Sequence, residues 1–192
     1  MIKNVCVFAS SSNKLDESFY NDASELGRLI GLHNMNIVYG GSRLGMMYVA
    51  AGAVKANGGK IIGIMPKRLH EMGFSNPEDC DEFYLTSGMR ERKAKMDEIS
   101  DAVIALAGGF GTLEEISEMI VQKQLGYNSK PIVLLNTSGF YDGLINFFDT
   151  IISKNFAKTE AAQLYYIASG PQDAINYIET YNSQEIAYSG KF

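Results

Sequence analysis

The chain has 192 residues, long enough for one domain with a sizeable core. With 46% hydrophobic and 20% charged residues it reads as an ordinary soluble globular protein. A net charge of −5 argues against a nucleic-acid or polyanion binder.

In chain order, the first strand is expected at 4–9, "NVCVFA", followed by Ser10–Asn13 and a helix over 15–32. A second strand at 36–40, "NIVYG", runs through "GGSRLG" into a helix at 44–57. A third strand occupies 60–65. Residues 66–86 read as one long irregular insert, the kind of loop that serves as a lid or a partner surface. A helix at 88–100 and a strand at 101–107 lead into "GGFGTLEE" and a helix at 112–126. Strands at 131–136 and 164–168 alternate with helices at 140–153 and 171–181, and the last residues, "YSGKF", read as frayed.

These strands are short and apolar throughout, as strands covered on both faces are. The βαβ alternation predicts an α/β, Rossmann-like, doubly wound parallel sheet with helices on both faces, one domain spanning 1–192. Cys6, in an apolar run, reads as a buried free thiol, and Cys80, in a polar loop, as more open. Neither the cysteines nor the histidines have metal-ligand spacing. No apolar run has the ~18 residues of a membrane span, and the N-terminus is too short and strand-like for a signal peptide. The cytoplasm is therefore the expected compartment.

In such sheets ligands sit beyond the carboxyl ends of the strands. The residues there are small, polar or glycine: Ser10–Ser12 after the first strand, Gly40, Gly41, Ser42 and Gly45 after the second, Gly108–Thr112 after the fourth. Glycine lets the backbone approach a ligand, and a helix N-terminus presents unpaired N–H groups and partial positive charge, so both glycine loops suit a phosphate. Each alone is equally a short turn. Neither ends in the Lys-Ser/Thr of a Walker A loop, and Glu114 stands where a dinucleotide fingerprint has its third glycine. A mononucleotide or sugar phosphate fits better than NAD or ATP.

Thr112-x-x-Glu115 matches a capping box, and Glu115 also borders the apolar stripe of its helix while Glu114 points away from it. A capping role and a pocket-facing acid are both open. In "MRERKAKM", Arg92 and Lys93 fall on the face of Met89 and Met96. A basic pair there is snorkelling, in a structural ion pair, or reaching a phosphate or an acid.

"VYGGSRLGMM", "MRERKAKM", "AGGFGTLEE" and "KPIVLLNTSGFYDGLINF" resemble, in order and spacing, the motifs Y-G-G-G-x-x-G-L-M, M-H-x-R-K-x-x-M and P-G-G-x-G-T-x-x-E, and the segment after them, of the LONELY GUY (LOG) family. This family is often mislabelled lysine decarboxylase. The resemblance implies hydrolysis of the N-glycosidic bond of adenine-type nucleoside 5'-monophosphates, a cytokinin riboside monophosphate or AMP, to free base and ribose 5-phosphate. It implies Arg92 and Glu115 as the catalytic pair. Substrate contacts are implied for Ser11, Gly40, Gly41, Ser42, Gly45, Met89 and Lys93, for Gly108 to Thr112 through Phe110, and for Glu114. A homodimer with sites near its interface is implied, with neither metal nor organic cofactor.

Departures are Ala107 for the motif's proline, Arg90 for its histidine, Ser42 for a glycine, and Ser10 for the glycine after the first strand. Glu71 is the nearest match to an acidic substrate contact in the insert. Lysine decarboxylation would call for pyridoxal phosphate and a Schiff-base lysine, for which no pattern is present. A nonenzymatic nucleotide- or cofactor-binding protein of the same fold, and a phosphoribohydrolase for another base, are the alternative readings.

Overall fold

Val5 and Val7 pack on one side of the central sheet, Cys6 and Phe8 on the other, and each is at most 3% exposed. This period of two, with both faces apolar, is what a sheet covered by helices on each side demands. The computed structural model describes residues 1–183, so the expectation for "YSGKF" lies outside the described residues.

Seven strands form the sheet: β1 (Asn4–Phe8), β2 (Asn36–Tyr39), β3 (Ile61–Pro66), β4 (Glu82–Thr86), β5 (Ala102–Ala105), β6 (Ile132–Leu135) and β7 (Tyr166–Ala168). Their order is β4-β3-β2-β1-β5-β6-β7 and every pairing is parallel, with Val5 beside Ile37 of β2 and Ala102 of β5. Helices α1 (Glu17–Leu32), α2 (Gly45–Ala56) and α7 (Pro171–Thr180) bury Leu26, Ile30, Val54 and Ile178 against the face of Val5 and Val7. On the face of Cys6 and Phe8, α4 (Met89–Ile99) and α5 (Phe110–Gln124) bury Met96, Ile116 and Met119. Helix α6 (Asp142–Ser153) covers the same side more loosely. This is the expected doubly wound α/β fold.

Two expectations need correction. The segment 66–86 is not irregular: it holds the end of β3, the short helix α3 (Lys67–Glu71), a 3-10 turn at Pro77–Asp79 and the edge strand β4. Helix α5 begins at Phe110, two residues before its predicted start. Among the described residues no helix is long and apolar enough to cross a membrane.

The order reverses between β1 and β5, whose crossovers leave in opposite directions. A crevice therefore opens beyond their carboxyl ends.

Candidate functional site

That crevice is a cleft of about 500 Å³. Ser10, Ser11 and Ser12 line it from the end of β1, and Gly40, Ser42 and Met47 from the loop and helix after β2. Met89 and Arg92 of α4 face Gly111, Thr112 and Glu115 of α5 across it, with Gly109 just before α5. Three βα connections thus meet in one place.

The loops are fixed by their own backbone. The Ser10 N–H donates to the Ala107 carbonyl at 3.1 Å, and the Ser10 carbonyl accepts the Met46 N–H at 3.0 Å. Gly45 takes φ +63°, donates its N–H to Asn13 Oδ1 at 2.8 Å, and stands so close to Ser10 that a Cβ would lie 2.5 Å from its carbonyl oxygen. Any side chain there would push the β1 and β2 loops apart.

At α5 the capping box, one of the two open readings of Thr112 and Glu115, does not form. Gly109 is the N-cap, no side chain caps the helix, and the Leu113 N–H is the first to bond along it, to the Gly109 carbonyl at 3.0 Å. Starting the helix at Phe110 puts Thr112 inside its first turn, buried against Gly108 rather than at the cap position. The N–H groups of Phe110, Gly111 and Thr112 are left as donors at the positive end of the helix. Glu115, released from capping, turns to α4.

There it meets Arg92. Arg92 Nη1 donates to Glu115 Oε1 at 2.8 Å, and Nε donates to the Ile64 carbonyl at the end of β3 at 3.2 Å. Arg92 is 8% exposed and Glu115 7%. Gly40 makes room for the guanidinium, since a Cβ there would come within 2.3 Å of Arg92 Nη2. Burial raises the Glu115 carboxyl above its ordinary value, and the Arg92 guanidinium pulls it back only in part. Arg92 thus favours the ionised carboxylate, and burial, the larger effect, sets the net direction. Below the pair lies Cys6, a buried free thiol that burial, then the Glu115 charge, push well upward.

The other expected residues divide. Ser11, Gly40, Ser42, Met89, Gly109, Gly111 and Thr112 line the cleft; Gly41 and Gly45 shape its loops from behind, and Gly108 supports Thr112. Phe110 projects into solvent, 91% exposed. Lys93 does not line the cleft: its ammonium pairs with Glu114 and Glu118 of α5, which also takes Glu114 out of the cleft. Glu71 pairs with Lys67 at 3.8 Å and lies away from the lining.

Met65, Leu69 and Phe74 line the cleft and escaped the sequence reading. The last two sit in the segment read as irregular. That segment folds back because Ser42 bridges Ser75, and the Arg43 N–H donates to the Phe74 carbonyl at 3.3 Å. Among the described residues no lysine lines the cleft, and no group of three His, Cys, Asp or Glu side chains is placed to hold a metal.

Residues 46–178 match the family model described as "Possible lysine decarboxylase". The cytokinin riboside 5'-monophosphate phosphoribohydrolase LOG4 of Arabidopsis thaliana is 38% identical over 178 residues, 93% of this chain and 82% of that protein. The cytokinin riboside 5'-monophosphate phosphoribohydrolase LOG of Oryza sativa subsp. japonica is 37% identical over 179 residues, 93% of this chain and 74% of that one. Among solved structures, a molybdenum cofactor binding protein from the bacterium Rippkaea orientalis superimposes with a TM-score of 0.69 at 24% identity, covering 94% of this chain and 97% of its own. At that identity the likeness is one of fold.

Proposed function

The chain belongs to the LOG family of phosphoribohydrolases, hydrolases of N-glycosyl bonds, and on that premise we propose that its cleft cleaves the C1'–N9 bond of an adenine-type nucleoside 5'-monophosphate. The substrate in this reading is cytokinin riboside monophosphate, AMP or both, and the products are free base and ribose 5-phosphate. The observation that carries this reading is the buried Arg92–Glu115 pair, set at the mouth of the uncapped α5 N-terminus.

In this reading the 5'-phosphate lies on the N–H groups of Gly111 and Thr112 and near Ser11, where helix dipole and free donors favour an anion. That contact, remote from C1', positions the sugar for the reaction. As the C1'–N9 bond breaks, positive charge grows on the ribose, and the Glu115 carboxylate stabilises it. Glu115 then takes a proton from the water that adds to C1', and the departing base takes up a proton in turn. A carboxyl raised by burial is the stronger base for this step. Arg92 keeps Glu115 oriented. Leu69, Phe74 and Met65 offer the base an apolar wall.

The expected homodimer is part of the same proposal. Helix α6 carries Leu144, Ile145, Phe147, Phe148, Ile151 and Ile152, yet none of its residues is fully buried. Together with Leu113, Ile120 and Val121 of α5 it borders an apolar groove of about 400 Å³. A second copy of this chain covering that groove would bring the interface onto α5, the helix that carries Glu115. The cytoplasm remains the expected compartment.

The reaction is tested by incubating the protein with AMP, isopentenyladenosine monophosphate, CMP and UMP and assaying free base by chromatography. Release of adenine or isopentenyladenine, lost in Glu115→Gln, supports the reading. Release of cytosine or uracil alone redirects it to another base, and binding without turnover to a nonenzymatic carrier.

A further inference from the structure

At the opposite end of α5 from the cleft lies a second pocket, of about 280 Å³, sharing no lining residue with the first. Lys123, Tyr127, Asn128, Ser129, Tyr181 and Ser183 line it, and among the described residues none that lines it is acidic. Lys123 and Glu115 are eight residues apart on one helix, which separates them by about 12 Å along its axis.

Two donors here lack acceptors. Lys123 is 7% exposed and its Nζ has no hydrogen-bond partner among the described residues. The ring of Tyr181, 4.8 Å from Nζ, gives a cation–π contact but supplies no lone pair. The buried Nδ2 of Asn128 is also without an acceptor, while its Oδ1 accepts the Lys130 N–H at 3.4 Å and so fixes which end of the amide is free.

An unpaired ammonium and an unpaired amide are costly to bury, and burial pushes Lys123 down to about 8. At neutral pH most of the charge still remains. A methionine would fill the same volume at no such cost, so packing does not account for a lysine. An acceptor-bearing, negatively charged occupant does. The pocket is smaller than the cleft and below the usual size of sites for drug-sized ligands, which limits that occupant to a small anion.

We propose that this pocket binds a small oxyanion, a phosphate or carboxylate group, held by Lys123 Nζ and Asn128 Nδ2. The hydroxyls of Ser129 and Ser183 lie in the same lining and add further donors. The site is independent of the chemistry assigned to the cleft.

The test compares the full-length protein with Lys123→Met in sodium phosphate, sodium acetate and sodium chloride of matched ionic strength at pH 7. Non-specific stabilisation by phosphate, and any phosphate held in the cleft, act on both proteins and cancel in the difference. With phosphate near ten times its Kd, the wild-type melting temperature is expected to rise about 3–6 °C more than that of the variant. The side-chain amide resonances of Asn128 are expected to shift saturably in wild type. A response to phosphate but not acetate identifies a phosphate site, and the reverse a carboxylate site. Equal melting shifts in the two proteins in every salt, or an Asn128 amide that moves with neither anion, overturn the proposal. The amide titration uses wild type alone, so it decides even where the variant fails to fold.

Discussion

Arg92 Nη1 and Glu115 Oε1 lie 2.8 Å apart, reaching from α4 and α5 to the same buried point beside the cleft. A buried ion pair is weak evidence of stabilisation, because desolvation offsets much of the attraction. Its placement among three βα loops makes a chemical role the better account. Glu115→Gln keeps an acceptor for Arg92 but removes the base. Hydrolysis should fall by about a hundred- to ten-thousand-fold, while the melting temperature changes less than in Glu115→Ala, which strands a buried guanidinium. Free-base release and thermal melting of both variants check this; undiminished turnover in Glu115→Gln would remove Glu115 from the mechanism.

Two glycines separate positioning of the pair from binding of the phosphate. A Cβ on Gly40 would sit 2.3 Å from Arg92 Nη2, and Arg92 is held by the Ile64 carbonyl and Glu115 and has little freedom to yield. Gly40→Ala should therefore lower kcat. Gly111 has open space around its Cβ position and lies in the first turn of α5. There an alanine favours the helix by up to ~1 kcal/mol yet crowds the proposed phosphate. Gly111→Ala should raise KM with kcat nearly kept and melting no lower. Steady-state kinetics with one nucleotide give the split, and a matching loss in kcat for both variants would contradict it.

The acid limb of activity follows from the direction of the Glu115 shift. The base must be ionised, and burial holds its carboxyl above the ordinary value of 4.5. Activity is then present above the raised value and lost as pH falls through it, so the limb lies above 4.5. Arg92 lowers this carboxyl, so Arg92→Gln should move the limb to still higher pH while reducing the rate. kcat at saturating nucleotide, followed from pH 4 to 8, is the suitable reading, because the phosphate of free substrate titrates near pH 6. A limb at or below the ordinary glutamate value, or a downward move in Arg92→Gln, would refute the assignment.

What could be read in the sequence follows the strength of the physical signal. Val5 to Phe8 are apolar on both faces, and their strand was plain. In β4 only Thr86 is fully buried, and Glu82, Tyr84 and Leu85 are exposed. An edge strand held mainly by backbone bonds to β3 leaves no apolar pattern to read. Arg92 stood out as a charge on an apolar face, and the fold brings it to Glu115. Lys93 shares that face, yet Glu114 and Glu118 lie on another helix, and no pattern within α4 announces them. "TLEE" reads as a capping box only if Thr112 is the N-cap. The loop after β5 is short enough that Gly109 takes that place. Phe74 and Leu69 reach the cleft through the Ser42–Ser75 bridge, a tertiary contact between two loops.

The apolar face of α6 gives a prediction about assembly. Phe147 is 58% exposed, so in a monomer an aspartate there should change stability by no more than about 0.5 kcal/mol, as surface substitutions do. In a homodimer closed over the α5–α6 groove the residue appears twice, and a buried aromatic at such an interface is worth about 2 kcal/mol or more. Two buried carboxylates would then meet an apolar surface. Phe147→Asp should therefore shift the sedimentation profile from dimer to monomer, with the melting transition of the monomer little changed. Because the groove is bordered by α5, which also holds Glu115, loss of the dimer should lower turnover as well. A variant that sediments as wild type does would place any interface elsewhere on the molecule.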